Sequence, residues 1–346
     1  MKALMKVHPG PGGVQLCEVD KPIPAADEVR IRVHFVGICG TDIHIIHDEY
    51  NAKLPVIMGH EYSGVIDSVG DAVTDFHPGD CVVSLTAGYT CGTCRYCRYG
   101  LFMQCPQRKS IGSGMNGAMA EYLVIKASRL FHIPNGVRMQ EAALCEPIAC
   151  CVRSVIERNH LHAGDYVYVS GPGAIGQVVA QLAKLCGAHV TVAGIPSDSE
   201  RLQMAKHLGA DEIITLEQED TLPLAEKITD GRLYDAAFEC AGVKASSDTC
   251  FRLLRRCGQY VQVGLFGKTI NIDMDYALIR EIAISNSFAA NPSSWEITLR
   301  LLERRALRLE PLTSAIYPLH TSWQEAIKMT ESKQGFKVLL DCTAGD

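Results

Sequence analysis

No stretch of the chain approaches the ~18 consecutive apolar residues that a membrane-spanning helix requires. The opening residues, MKALMKVHPGPGG, lack the apolar core of a secretory signal. A role in a membrane or outside the cell is therefore not expected, and the chain reads as cytoplasmic. An excess of positive charge is also missing. The formal net charge is -6 over 346 residues, with no basic patch, which argues against nucleic-acid or anionic-membrane partners. No internal repeat or low-complexity tract is present. Charged residues make up 21% and hydrophobic residues 47%, ordinary values for a globular protein with ample core. At roughly 150 residues per domain the length suggests about two domains. Cysteine, by contrast, is plentiful. Fifteen cysteines form an odd count in a long chain without an export signal, so reduced thiols and metal ligands are expected rather than a disulfide framework.

Four of those cysteines crowd into fifteen residues, CGTCRYCRYGLFMQC, as Cys91, Cys94, Cys97 and Cys105. Two-residue gaps let successive sulfurs turn inward on one tetrahedral ion, and an all-sulfur set suits zinc best. An iron–sulfur cluster and a pair of disulfides are the competing readings. A closed four-thiolate site has no open position, so it staples a loop and leaves the chemistry elsewhere.

The chain up to about residue 149 has β character. Val29–Val33 alternates apolar and charged residues, and further strands are expected at Ser63–Val69, Asp80–Ser84 and Glu121–Ile125 between Gly, Pro and Asp turns. After Pro147 the pattern changes to alternating strands and helices, the signature of a parallel doubly wound sheet. Helices are expected at Ile148–Arg158, Ala174–Cys186, Ser199–Leu208 and Trp295–Ala306. Strands are expected at Tyr166–Ser170, His189–Ala193, Ile213–Thr215, Asp235–Glu239, Tyr260–Gly264 and Phe336–Leu340.

Directly after the Tyr166–Ser170 run stands Gly171-Pro172-Gly173-Ala174-Ile175-Gly176, opening a helix. A bare G-x-G-x-x-G is a weak signal, but the strand before it and the helix after it are the context of a dinucleotide site. Gly171 serves the turn, Gly173 admits the pyrophosphate, and Gly176 lets helix and strand approach. An acid that binds the adenosine ribose is expected about 20 residues on, yet Gly194 stands there. Ser197, Ser199 and Arg201 follow, suited to a 2′-phosphate, while Asp198 is suited to ribose hydroxyls or to capping the next helix. NAD(H) or NADP(H) is expected, with a slight lean to NADP(H).

A second metal constellation precedes the four cysteines. Cys39, in CGTDIH, and His60-Glu61, in GHE, with Glu146 as a further carboxylate, offer sulfur, nitrogen and oxygen donors. Mixed sites of this kind usually keep a position for water or substrate. Such an ion lowers the proton affinity of an alcohol oxygen so that hydride can leave the carbon. Taken singly, each residue reads as well as a core thiol, a satisfied histidine or a surface acid; the combination with a dinucleotide fold carries the proposal.

CGTDIH, PVIMGHE, the four-cysteine loop, CEPIA, GPGAIG, VGLFG and GFKVLLD together resemble the zinc-dependent medium-chain alcohol dehydrogenases. The likeness is strongest to the branch of sorbitol, threonine and galactitol-phosphate dehydrogenases. It spans essentially the whole chain and implies an α/β fold: a GroES-like, β-barrel-type catalytic domain from residues 1–149 and 288–346, around a Rossmann domain at 150–287. It implies two zincs per chain, a nicotinamide cofactor, a small alcohol or polyol substrate and a homodimer or homotetramer. Cys39 and His60 match the catalytic-zinc ligands, joined by Glu61, by Glu146, or by each in turn during turnover. Thr41 matches the hydroxyl that takes the substrate proton, and His44 the residue that relays it. Val263-Gly264-Leu265 and Ser287-Phe288-Ala289 match the nicotinamide lining. Ala289 departs from the pattern, since sorbitol dehydrogenases carry arginine there, which disfavours sorbitol itself. The polar loop His47-Asp48-Glu49-Tyr50-Asn51 favours a polyhydroxylated or charged substrate. A catalytically silent binding relative and a zinc-free reductase are the rival classes. Both are disfavoured by an intact set of ligands and glycines.

Overall fold

The computed structural model describes residues 1–217 and 220–344. The chain divides into two compact units. One is Met1–Pro147 with Ala290–Arg305 and Leu309–Asp346; the other is Ile148–Ala289 with Ala306–Arg308.

The spine of the first unit is the strand Glu28–Gly37. Val29, Ile31 and Val33 alternate onto one face and are fully buried, the two-residue period of a strand with one face on a core. It pairs antiparallel with Glu61–Val69, Tyr122–Lys126 and Lys337–Asp341. Cys81–Ser84, Leu130–His132 and Thr313–Pro318 complete this seven-stranded sheet. A smaller sheet, Val14–Glu18, Lys2–Lys6 and Val56–Ile57, lies in the same unit. Leu4, Val36, Met58, Ile66, Leu123 and Leu340 pack together at its core. The last strand matters most for function, because its register sets residues near 337 beside Gly37.

The second unit holds six parallel strands in the order Glu212–Thr215, His189–Gly194, Tyr166–Ser170, Tyr234–Glu239, Leu254–Gln262 and Ala283–Asn286. Numbered along the unit this is 3-2-1-4-5-6, the dinucleotide-binding order, with its switch point beside the first strand. Val178, Val179, Leu182 and Ala183 bury one face of the helix Ala174–Leu185. Tyr168, Phe251, Leu253 and Tyr260 form the core on the sheet's other side.

Two helices begin earlier than the sequence suggests, and for the same reason. The helix expected from Ile148 starts at Cys145, and the one expected from Trp295 starts at Pro292. Proline is tolerated in a first helical turn, where its missing N–H has no partner to lose. The first of these helices also ends differently, passing into a π-turn at Arg153–Glu157. The edge strand Ala283–Asn286, absent from the sequence reading, is short and largely exposed, so it carries no buried alternation to betray it.

Candidate metal centres and cofactor loop

The four-cysteine loop closes on itself. The sulfurs of Cys91 and Cys97 are 3.9 Å apart, those of Cys94 and Cys97 3.5 Å, and those of Cys91 and Cys105 3.7 Å. A tetrahedron of Zn–S bonds of ~2.3 Å has edges of about 3.8 Å, so the residues fit one zinc ion. A disulfide needs ~2.05 Å, and all fifteen cysteines are free, which removes the two-disulfide alternative. A cluster would share the ligands among several irons and spread them apart. The backbone N–H of Cys94 donates to the Cys91 sulfur at 3.4 Å and pulls that thiol down to about 6, favouring the thiolate a metal requires.

The mixed constellation also converges. Ligand atoms of Cys39, His60 and Glu61 lie within 4.8 Å of one another. Cys39 immediately precedes the short helix Gly40–Ile46. Its thiol points at the Thr41 hydroxyl, 3.8 Å away, so Thr41 shares the site. His60 follows Gly59, whose φ of +86° and close neighbours Met119 and Val36 leave no room for a side chain. Glu61 opens its strand opposite Gly37. A Cβ at residue 37 would collide with the Glu61 carboxylate, so glycine there makes space for it. Glu146, buried in the first turn of Cys145–Val152, stands outside the three-ligand group. Its charge nevertheless acts on His60 and on Lys337.

Two residues of this site were not singled out from sequence. Lys337 is 9% exposed, pairs with the Glu61 carboxylate at 2.5 Å and donates to the Ile38 carbonyl at 3.1 Å. Glu61 is 1% exposed, and its Oε2 has no aligned hydrogen-bond donor among the described residues; the lysine charge is what offsets it. Burial opposes charge on Lys337, but Glu61, Cys39 and Glu146 outweigh it and raise its proton affinity. Asp42, fully buried, accepts from the backbone N–H of Cys39 at 2.9 Å and of Gly59 at 3.2 Å, and faces His60 Nδ1 at 3.9 Å. One carboxylate thus ties the two ligand segments together. Burial drives the Asp42 carboxyl up, against the pull of His60. Desolvation opposes charge on His60 too, but the adjacent Cys39 sulfur prevails and holds it well above its usual range. His44 lies farther out, 40% exposed, with Nδ1 2.6 Å from Glu49 Oε2.

In the second unit the glycine loop has the shape its spacing predicts. Gly171 adopts φ +101° against the Ala241 backbone. Gly173 precedes the helix with open space where a Cβ would stand, and a Cβ on Gly176 would strike the Gly171 carbonyl. Ala174 and Ile175 form the first turn. Gln177 donates to the carbonyls of Pro172 at 2.9 Å and Arg201 at 2.8 Å, tying this loop to the helix Ser199–His207. Gly194 ends its strand pressed by Pro172 and Asp198. Asp198 accepts from the Ile195 N–H at 3.2 Å and pairs with Arg201 at 3.6 Å, while Ser197 is exposed. Gly264 sits tightly on Gly242 and on Glu239, whose carboxylate accepts from the N–H groups of Ala241 and Gly242. Val263 follows at the same strand end, its N–H donating to the Glu239 carbonyl. Leu265 and Phe288 are exposed at 61% and 44%, and Ser287 keeps a buried hydroxyl without a partner among the described residues.

A GroES-like sheet unit with a mixed and an all-thiolate cluster of candidate metal ligands, joined in one chain to a dinucleotide-type unit, defines a zinc-dependent nicotinamide dehydrogenase. The chain belongs to the zinc-binding, medium-chain alcohol dehydrogenase family. Residues 25–135 match the alcohol dehydrogenase GroES-like domain and residues 174–304 the zinc-binding dehydrogenase domain. It is 37% identical to the D-arabitol-phosphate dehydrogenase of Enterococcus avium, over 99% of this chain and 97% of that protein. It is also 37% identical to a sorbitol dehydrogenase of Halalkalibacterium halodurans, over 98% and 99%. Galactitol-1-phosphate dehydrogenase from Escherichia coli superposes with a TM-score of 0.89 at 29% identity, covering 99% and 100% of the two chains. Among the described residues no helix is long and apolar enough to cross a membrane.

Proposed function

We propose that this chain is a cytoplasmic dehydrogenase oxidising a secondary alcohol of a polyol, polyol phosphate or sugar acid. Residues 1–149 and 288–346 would hold two zinc ions and residues 150–287 the nicotinamide cofactor. The observation that carries this is the convergence of sulfur, nitrogen and oxygen donors from Cys39, His60 and Glu61 within 4.8 Å, in a chain that also carries the glycine loop. When bound, zinc supplies Lewis acidity toward an alcohol oxygen, and the nicotinamide accepts the hydride. Cys39, His60 and Glu61 hold the ion, with Glu146 beside them as an alternative carboxylate. Asp42 orients the histidine segment, and Lys337 fixes Glu61. Thr41 takes the hydroxyl proton and His44 passes it on. Cys91, Cys94, Cys97 and Cys105 hold the second zinc and stiffen their loop.

Gly171, Gly173, Ala174, Ile175 and Gly176 receive the pyrophosphate; Gly194, Ser197 and Arg201 face the adenosine end. Val263, Gly264, Leu265, Ser287 and Phe288 face the nicotinamide. NADP(H) leads on the absence of a carboxylate at 194, and the Asp198–Arg201 pair narrows that lead by occupying the cation a 2′-phosphate would use. A homodimer or homotetramer is supported by the strand Ala283–Asn286, whose outer edge is unpaired among the described residues, and by exposed Ile284, Leu278 and Ile279 near it, because an uncovered strand edge invites pairing. The polar loop at 47–51 favours a polyhydroxylated or charged substrate over a simple alkyl alcohol, and Ala289 disfavours sorbitol itself. The test is zinc analysis, followed by a screen of polyols, sugar acids and their phosphates by reduced-nicotinamide absorbance, with NAD and NADP separately. The expected result is about two zincs per chain and turnover of a polyhydroxylated compound. A single zinc, or activity restricted to simple alkyl alcohols, overturns the proposal.

A further inference from the structure

A guanidinium sits behind the four cysteines, in no part of the chemistry described above. Arg129, at the end of the turn Ala127–Arg129, is only 8% exposed. It donates to the Thr90 hydroxyl at 2.7 Å, and its Cζ lies 4.4 Å from the Phe102 ring centroid. Phe102 belongs to the loop between Cys97 and Cys105. Thr90, directly before Cys91, in turn acts on the Cys97 thiol and favours its thiolate. The Nε of Arg129 has no hydrogen-bond partner among the described residues, so hydrogen bonding alone does not account for burying this side chain.

Electrostatics does account for it. Four thiolates around one divalent cation carry two net negative charges, and removing them from water is costly without a compensating cation. The four sulfurs differ in exposure. Cys91 and Cys94 reach solvent, whereas Cys97 and Cys105 are buried at 7% and 5%. Arg129 acts on the buried pair, Cys97 and Cys105. Arg108 adds a second positive charge near Cys105. Cation and desolvated sulfur thus coincide on one side of the site, while water screens the other.

We propose that Arg129 is a positioning residue of the four-cysteine site, holding Cys97 through the Thr90 hydroxyl and balancing the charge of the two buried thiolates. The role rests on these cysteines binding zinc as stated under the proposed function. It adds that retention of this ion, and the electron density on its sulfurs, depend on two residues that never touch it. Partners of this outer kind typically change metal affinity by about 10–100-fold when removed.

The experiment uses full-length protein carrying both zincs, with Arg129→Met, Arg129→Lys and Thr90→Val variants. Zinc release to a chromogenic chelator is followed in time. Arg129→Met is expected to lose one of its two zincs about tenfold faster or more, with the other released at the wild-type rate. Thr90→Val, which keeps the charge and removes only the hydroxyl, speeds the same zinc by a smaller factor. Arg129→Lys falls between wild type and Arg129→Met. The second readout is cobalt(II) loaded into a Cys39→Ser background, where the thiolate-to-metal charge-transfer band reports only the four cysteines. Removing the Thr90 bond or the charge leaves the sulfur more electron-rich and moves the band to lower energy. Side-chain packing alone would not do so. Wild-type release rates and an unmoved band in Thr90→Val and Arg129→Lys overturn the proposal, even should Arg129→Met fail to fold. Equal acceleration of both zincs overturns it as well, by reducing the effect to general loosening. A wild-type protein whose four cysteines hold no zinc removes the underlying reading instead, an outcome that the initial metal count separates from the others.

Discussion

Lys337→Met tests the buried ion pair at the mixed site most directly. Methionine nearly matches the length of lysine but carries no charge and no donor. In the metal-free protein the change leaves the Glu61 carboxylate 1% exposed, without its cationic partner and with the Cys39 sulfur within 4.8 Å. Breaking one side of a buried pair costs about 3–5 kcal/mol. With zinc bound, the ion's positive charge takes over the task of offsetting Glu61. What remains is the lost bond to the Ile38 carbonyl, about 1–3 kcal/mol for a buried acceptor left unmade. The difference, about 2 kcal/mol, must reappear as tighter zinc binding by the variant, on the order of 30-fold. Urea unfolding of chelator-treated and zinc-loaded protein gives the two stability losses, and competition with a chromogenic chelator gives the affinity. Equal losses with and without zinc, or weaker zinc binding by the variant, would refute the idea that Lys337 and the metal share the charge of Glu61.

Two glycines of one motif should fail in opposite ways. Gly176→Ala drives a Cβ into the Gly171 carbonyl and should destabilise the cofactor unit by about 1–3 kcal/mol, visible in thermal unfolding without cofactor. Gly173→Ala has open space for its methyl, so unfolding should be unchanged while the dissociation constant for the nicotinamide cofactor rises in fluorescence titration. Cys97→Ser removes a thiolate from the closed four-cysteine site and should lower the unfolding temperature and the zinc count by one, because such a site contributes folding energy. An unchanged melting curve would contradict that.

Local chemistry was legible in the sequence and long-range pairing was not. The spacing of Cys91, Cys94, Cys97 and Cys105 and the run from Gly171 to Gly176 declare their shapes because each site is built within about one turn or loop. The period-two pattern of Val29, Ile31 and Val33 announced its strand for the same reason. Lys337 lies in the stretch GFKVLLD, but nothing local says that it faces Glu61. That contact is fixed by strand register between opposite ends of the chain. Asp42 was hidden differently, since an acid in a first helical turn reads as an ordinary favourable partner of the helix end. A basic residue after a strand, as Arg129 is, reads as surface, and only its burial beside Thr90 and Phe102 gives it meaning. The short strands Val56–Ile57 and Ala283–Asn286 exist through their neighbours rather than through any pattern of their own.

The bond from Lys337 to the Ile38 carbonyl spans 299 positions, which has a bearing on how the protein is made. Cys39, His60 and Glu61 leave the ribosome early, whereas their counter-charge comes only after the whole cofactor unit has been synthesised. Until then a folded amino-terminal segment would hold the Glu61 carboxylate uncompensated. Its native geometry is therefore disfavoured until zinc or the final strand arrives. Contacts of such sequence separation form late. A nascent chain halted before residue 337 should thus remain metal-responsive and protease-sensitive around Glu61, and completion of the last strand is the event that lets this proposed metal site stand in its own right.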